Sequence, residues 1–87
     1  MFKTVVDARW QEQGGGIYLI YYNQDVFEAN EVIISILELC RRPQNEENLI
    51  SALLKKYEVE RIVLQKDISD TISQLKEAHI IEEVENE

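Results

Sequence analysis

Ile17-Tyr18-Leu19-Ile20-Tyr21-Tyr22-Asn23-Gln24-Asp25-Val26-Phe27-Glu28-Ala29-Asn30 is the stretch that decides the fold. Its first six residues are β-branched, aromatic or otherwise apolar, the composition of a strand. Asn23-Gln24 reads as a tight turn, and residues 25–29 return as a short antiparallel strand. Period-two alternation then puts Phe27 and Ala29 on one face and Val26 and Glu28 on the other. Asn30 ends the hairpin and caps a first helix: Glu31 suits the positive helix end, and Ile33, Ile36, Leu37 and Cys40 recur at i, i+3, i+4 and i+7. Arg41 and Arg42 complement the negative end of that helix, and Pro43 stops it.

Upstream, residues 4–10 are β-rich and predict a first strand, which residues 11–16 interrupt. Three consecutive glycines, Gly14 to Gly16, could cradle a phosphate. Neither a Walker Lys-Ser/Thr nor a second spaced glycine follows, so a plain loop is the better reading. Downstream, Asn45 caps a second helix with Glu46 and Glu47 in its first turn. Its apolar face is Leu49, Ile50, Leu53, Leu54 and Tyr57. A third helix carries Leu64, Ile68, Ile72 and Leu75, which leaves Asp67, Asp70, Thr71 and Gln74 for its other faces. Ile80-Ile81 follows as a short strand or packed tail. The expected organisation is one domain over residues 1–82 with an acidic, frayed tail over residues 83–87.

The chain has 87 residues, 45% of them apolar and 30% charged. A domain this small buries only a little over ~60% of its unfolded surface, so its core is thin. No apolar run approaches the ~18 to 20 residues of a membrane span, and the first residues lack the apolar segment of a secretory signal. A cytoplasmic protein without membrane association is expected. Cys40 and His79 are each the sole residue of their type. That leaves no disulfide and no Cys–His cluster for zinc, and a lone Cys on an apolar helix face usually just packs. The net charge of −8 disfavours nucleic acid and suits a basic or neutral partner. No catalytic motif is present, and neighbouring carboxylates such as Glu46-Glu47 diverge on a helix and read as solvated surface. A binding protein with no cofactor and no metal is expected.

The residues also carry a family resemblance. Val26-Phe27-Glu28-Ala29-Asn30, followed by the stripe from Ile33 to Leu37, resembles the strand-into-helix signature of the PqqD-like family, "tyrosine, any, leucine, asparagine". Asn45-Glu46-Glu47-Asn48-Leu49 resembles that family's second-helix start, and Tyr57-Glu58-Val59 its "tyrosine, any, valine". Asp67-Ile68, Ile72, Leu75 and Ile80-Ile81 resemble its last helix and closing "glycine, leucine, isoleucine". The chain departs from the pattern in Ala29, where leucine is usual, in having no glycine after the first helix, and in His79 at the closing glycine. That glycine ends a helix in a left-handed conformation, which His tolerates less readily.

The resemblance implies an α+β, winged-helix-like fold: an N-terminal antiparallel β-hairpin or three-stranded sheet followed by three α-helices. It implies a recognition element that binds the leader segment of a ribosomally made precursor peptide and presents it to a separately encoded maturation enzyme, a leader protease, a cyclase or a radical enzyme. The leader would add as a strand along Gln24, Asp25, Val26, Phe27, Glu28 and Ala29, because an open edge offers unpaired N–H and C=O groups. Leu64, Asp67, Ile68, Thr71, Gln74 and Leu75 would form the other wall, with Ile68 and Leu75 also readable as core. Two rival readings are a winged-helix DNA-binding protein and a generic protein-interaction domain. In the first, Asp67, Asp70 and Glu77 offset Lys66 and Lys76 on the would-be recognition helix and repel phosphate.

Overall fold

The computed structural model describes residues 1–85. In chain order the elements are β1 (Phe2–Thr4), β2 (Arg9–Gly14), β3 (Ile17–Tyr22), β4 (Asp25–Asn30), α1 (Glu31–Leu39), α2 (Glu46–Lys56), α3 (Arg61–Glu77) and β5 (Ile81–Glu83). Strands β2, β3 and β4 form an antiparallel sheet in that order, and β1 pairs with β5 in a separate two-stranded ribbon. The α+β order of a three-stranded antiparallel sheet ahead of three helices is the one expected.

The hairpin β3–β4 is built as the sequence implies. Asn23 and Gln24 both take positive φ, 52° and 70°, which is the backbone of a type I′ turn and matches the twist of the strands it joins. Ala29 is buried and Phe27 packs against the core, while Val26 and Glu28 face outward. The Asn30 side chain accepts the Ile33 N–H at 2.9 Å, and the Asn45 side chain accepts the Asn48 N–H at 2.8 Å, so α1 and α2 are capped alike. Leu64, Ile68, Ile72 and Leu75 of α3 are all buried against Leu49, Ile50 and Leu53 of α2 and the inner sheet residue Ile20 in one core.

Where α3 ends, Ile80 N–H donates to Leu75 C=O at 2.9 Å and His79 N–H to Lys76 C=O at 3.0 Å. This bond pair is the Schellman arrangement, and it places His79 at φ 63°, in the left-handed region where a glycine was anticipated. The turn aims Ile80 and Ile81 into the core and starts β5.

Five readings from sequence are corrected. The strand expected over residues 4–10 is split between two sheets. A straight strand would place Thr4, Val6 and Ala8 on one face, yet Thr4 and Ala8 are buried while Val6 is 70% exposed. A turn at residues 5–8, closed by Ala8 N–H to Val5 C=O, lets both anchors reach the core, where the Thr4 hydroxyl donates to Leu37 C=O at 2.8 Å. The loop expected over residues 11–16 is mostly β2. Gln11 pairs with Leu19, Glu12 with Tyr18 and Gly14 with Ile17, with a bulge between Glu12 and Gly14. Only Gly15 and Gly16, at φ 65° and 79°, make the turn. The polar side chains of an exposed edge strand carry no hydropathy signal.

Ile33 is only partly buried, because Ile34, Ser35, Ile36 and Leu37 form the buried stretch of α1. Arg41 lies beyond the end of α1, with its guanidinium 4.4 Å from the centre of the Trp10 ring, so stacking rather than the helix dipole holds it. Lastly, Glu82 and Glu83 belong to β5, Val84 N–H donates to Met1 C=O at 2.8 Å, and Glu83 pairs with Lys76. The chain is therefore tied down through Val84, beyond the expected domain limit at 82. The remainder of the expected tail, residues 86 and 87, lies outside the described residues.

Candidate functional site

Strand β4 is an edge: β3 covers one side and, among the described residues, no strand covers the other. Which of its groups face the open side follows from the turn. A type I′ turn closes with the N–H of its fourth residue on the C=O of its first, here Asp25 on Tyr22. Hydrogen-bonded and non-bonded pairs then alternate along the register Tyr22↔Asp25, Tyr21↔Val26, Ile20↔Phe27, Leu19↔Glu28 and Tyr18↔Ala29. Asp25, Phe27 and Ala29 thus direct their N–H and C=O groups to β3. Those of Val26 and Glu28 face outward.

Below this edge lies a hollow of about 160 Å³ between the sheet and the C-terminal half of α3. Ile20, Phe27 and Glu28 form its sheet side, Gln74, Leu75 and Ala78 its helix side, and Ile33 and Ile80 its ends. Six of these eight side chains are apolar, and the space suits one leucine- or phenylalanine-sized group. A second, more open hollow of about 320 Å³ continues along α3 toward the start of α1, bordered by Asn30, Val32, Ile33, Asp67, Asp70 and Thr71. Ile33 borders both, so the two hollows lie side by side along α3 and together form a cleft lined by apolar groups at one end and by Asp67 and Asp70 at the other, with Ile33 between them.

Of the residues expected at the site, Phe27, Glu28, Gln74 and Leu75 meet at the apolar hollow, and Asp67 and Thr71 border the acidic one. Gln24, Asp25 and Val26 lie around a separate depression at the hairpin tip, together with Arg9 and Tyr21. Ala29, Leu64 and Ile68 are buried in the core and border neither hollow, Ile68 being fully enclosed. Sequence reasoning missed Ile33, Asp70, Ala78 and Ile80. Ile33 was available as an apolar residue in the first turn after the Asn30 cap, next to the end of β4; the others depend on how α3 lies across the sheet.

The surroundings are acidic. Tyr18, on the inner face of β3, has its phenol pushed above the usual range, first by desolvation and then by the carboxylates of Glu12, Glu31 and Glu38. Cys40 is shut in the core, and burial pushes its thiol up to about 11, which keeps it protonated and unreactive. Between α1 and α2, Lys56 donates to Ser35 Oγ at 3.0 Å, and Tyr57 shares a 3.2 Å hydrogen bond with the same hydroxyl. These bonds satisfy a buried serine. Among the described residues no three His, Cys, Asp or Glu side chains converge as metal ligands, and no helix is long and apolar enough to cross a membrane.

The chain matches the family model described as coenzyme PQQ synthesis protein D (PqqD) over residues 16–81, most of its length. A solved structure, TbiB1 in complex with the TbiA(beta) leader peptide, is similar at a TM-score of 0.75 and 17% sequence identity, over 97% of this chain and 99% of that one. At that identity the likeness speaks for the fold. No curated protein sequence matches.

Proposed function

Because this chain belongs to the PqqD family, we propose that it is a binding adaptor that holds the leader segment of a ribosomally made precursor peptide and presents it to a separately encoded maturation enzyme. The observation that carries this reading is the open edge of β4 lying directly over an apolar hollow. An extended peptide laid on that edge satisfies the outward N–H and C=O groups of Val26 and Glu28 and can lower a side chain between Phe27 and Leu75. The similar fold of TbiB1, solved with a leader peptide, supports the same use.

Magnitudes indicate how the work is divided. Four new backbone hydrogen bonds contribute a net ~0.5 to 1.5 kcal/mol each, or roughly 2 to 6 kcal/mol. Lost translational and rotational freedom costs at least ~4 kcal/mol. The strand edge alone therefore gives register but little affinity. Filling the apolar hollow adds ~1.5 to 3 kcal/mol for each fully buried aliphatic or aromatic side chain and decides which peptides bind.

The proposed contact residues are the edge formed by Gln24, Asp25, Val26, Phe27, Glu28 and Ala29, and the helix wall of Asp67, Thr71, Gln74 and Leu75. Ile33, Ala78 and Ile80 complete the wall. Leu64 and Ile68 support α3 from behind. The adaptor itself is non-catalytic in this proposal and acts in the cytoplasm, with a protease, cyclase or radical enzyme as its partner.

The test is isothermal titration calorimetry of the protein with the leader segment of the precursor peptide encoded beside its gene. Metal-independent, saturable binding at one site is expected. No binding to any leader encoded nearby overturns the proposal.

A further inference from the structure

The acidic end of the cleft is not needed for strand addition, yet it lies on the path of any peptide running along β4. Asp67 and Asp70 are exposed, one helical turn apart on α3, and border the same hollow as Asn30 and Ile33. Neither carboxylate forms an ion pair among the described residues. The ion pairs among the described residues are Arg61 with Glu47 and Lys76 with Glu83. Lys66, adjacent to Asp67 in the chain, does not border the hollow. Glu31 follows Asn30 at the start of α1, and Glu28 stands on the rim of the neighbouring apolar hollow, so the charges nearest the peptide path are negative.

On the premise that the cleft holds a leader peptide, as proposed above, we infer that the leader is recognised through two side chains: an apolar group in the hollow between Phe27 and Leu75, and a Lys or Arg over Asp67 and Asp70. The spacing follows from the helix. The residues of α3 bordering the two hollows are centred about six positions apart, or roughly 9 Å at 1.5 Å per residue. That is about three residues of extended chain at ~3.3 Å each. Side chains on one face of a strand recur every second residue, so the basic residue stands two or four positions from the apolar one. A lysine or arginine stem spans the remaining ångströms and lays its methylenes on Val32 and Ile33. Arginine has the additional advantage of a planar fork that two carboxylates can share.

The experiment is fluorescence anisotropy with the labelled leader of the precursor peptide encoded beside this gene. Each Lys or Arg of that leader is replaced by Glu in turn, and each peptide is titrated against the native protein and a double variant, Asp67→Lys with Asp70→Lys. One replacement, two or four positions from a large apolar residue, should weaken binding to the native protein roughly three- to tenfold, as expected for two exposed pairs. The same peptide should recover affinity on the double variant, and the difference should shrink as salt is raised. Both substituted positions are exposed on the helix, and Asp67→Asn with Asp70→Asn provides a variant without new charge, checked for folding by circular dichroism. Native leader binding that no charge reversal changes by more than twofold overturns the inference and leaves the adaptor function intact. Equal weakening at every basic position, which signals diffuse attraction only, overturns it as well. A leader that fails to bind the native protein removes the adaptor function and this inference together.

Discussion

Proline scanning of β4 separates an edge that docks a peptide from one that only ends a sheet. The register makes Val26 N–H outward and Phe27 N–H inward, bonded to β3. Proline removes one N–H and imposes φ near −65°, which an edge strand accepts where the missing donor faces solvent. Val26→Pro therefore breaks no ladder bond, and Val26 is already 56% exposed, so the loss of its side chain matters little. Its stability should fall by no more than ~1 to 2 kcal/mol.

Phe27→Pro loses the bond to Ile20 and leaves that carbonyl unpaired, ~1 to 3 kcal/mol, and removes an aromatic side chain packed on the core, ~3 to 5 kcal/mol. A domain of this length holds only ~4 to 13 kcal/mol in total, so the sum takes most or all of it. Phe27→Ala isolates the side-chain part. Far-ultraviolet circular dichroism with thermal melts, followed by calorimetry with the leader, reads both properties. Val26→Pro should melt cooperatively near the native temperature while binding leader ~10- to 100-fold more weakly, since a leader carbonyl loses its donor. Phe27→Pro should be unfolded. If both variants fold and bind leader normally, the leader does not dock on this edge and strand addition is wrong for this protein; an unfolded Val26→Pro beside a folded Phe27→Pro would refute the parity deduced from the turn.

Among the described residues three non-glycine positions, Asn23, Gln24 and His79, hold left-handed backbone, which Asn tolerates best. Gln24→Gly and His79→Gly should each stabilise by roughly 0.5 to 1 kcal/mol and raise the melting temperature by several degrees, whereas Asn30→Ala should lower stability by ~1 kcal/mol through loss of the helix cap. The Cys40 thiol, held at about 11 by burial, should react with 5,5′-dithiobis(2-nitrobenzoic acid) at pH 8 only as fast as the protein opens, and immediately once denatured. Prompt reaction in the native state would refute its placement in the core. Anisotropy titration should give no useful affinity for duplex DNA at physiological salt, because the acidic α3 surface opposes phosphate; tight, sequence-selective binding would restore the winged-helix alternative.

How much of this was legible depends on whether the determining interactions are local. The β3–β4 hairpin, the Asn30 and Asn45 caps and the buried stripe of α3 rest on turn chemistry and periodicity within a few residues of each other, and each appears in the structure where the sequence put it; the α2 stripe is buried at Leu49, Ile50 and Leu53, whereas Leu54 and Tyr57, at its edge and end, are only half-buried. The left-handed turn at His79 was indicated by resemblance, since the residue type itself argues weakly for it. Strand β2 was hidden because an exposed edge strand is held by backbone hydrogen bonds to β3, which leave no mark on side-chain pattern.

The N-terminal segment shows the complementary limit. Residues 2–4 and 81–83 form a ribbon although almost the whole chain separates them, and neither segment signals its partner. The same holds for the candidate site. The sequence alone determined that β4 is a short strand with Phe27 turned inward and Val26 outward, because alternation is a property of any extended chain. Only the tertiary structure decided that α3 lies across that strand so that Leu75 and Ala78 face Phe27, that Ile33 leaves the core to join them, and that Leu64 and Ile68 withdraw behind. A helix presents a residue to a neighbour according to its rotation and crossing angle, and these are set by packing the whole core at once, which no local stretch of sequence encodes.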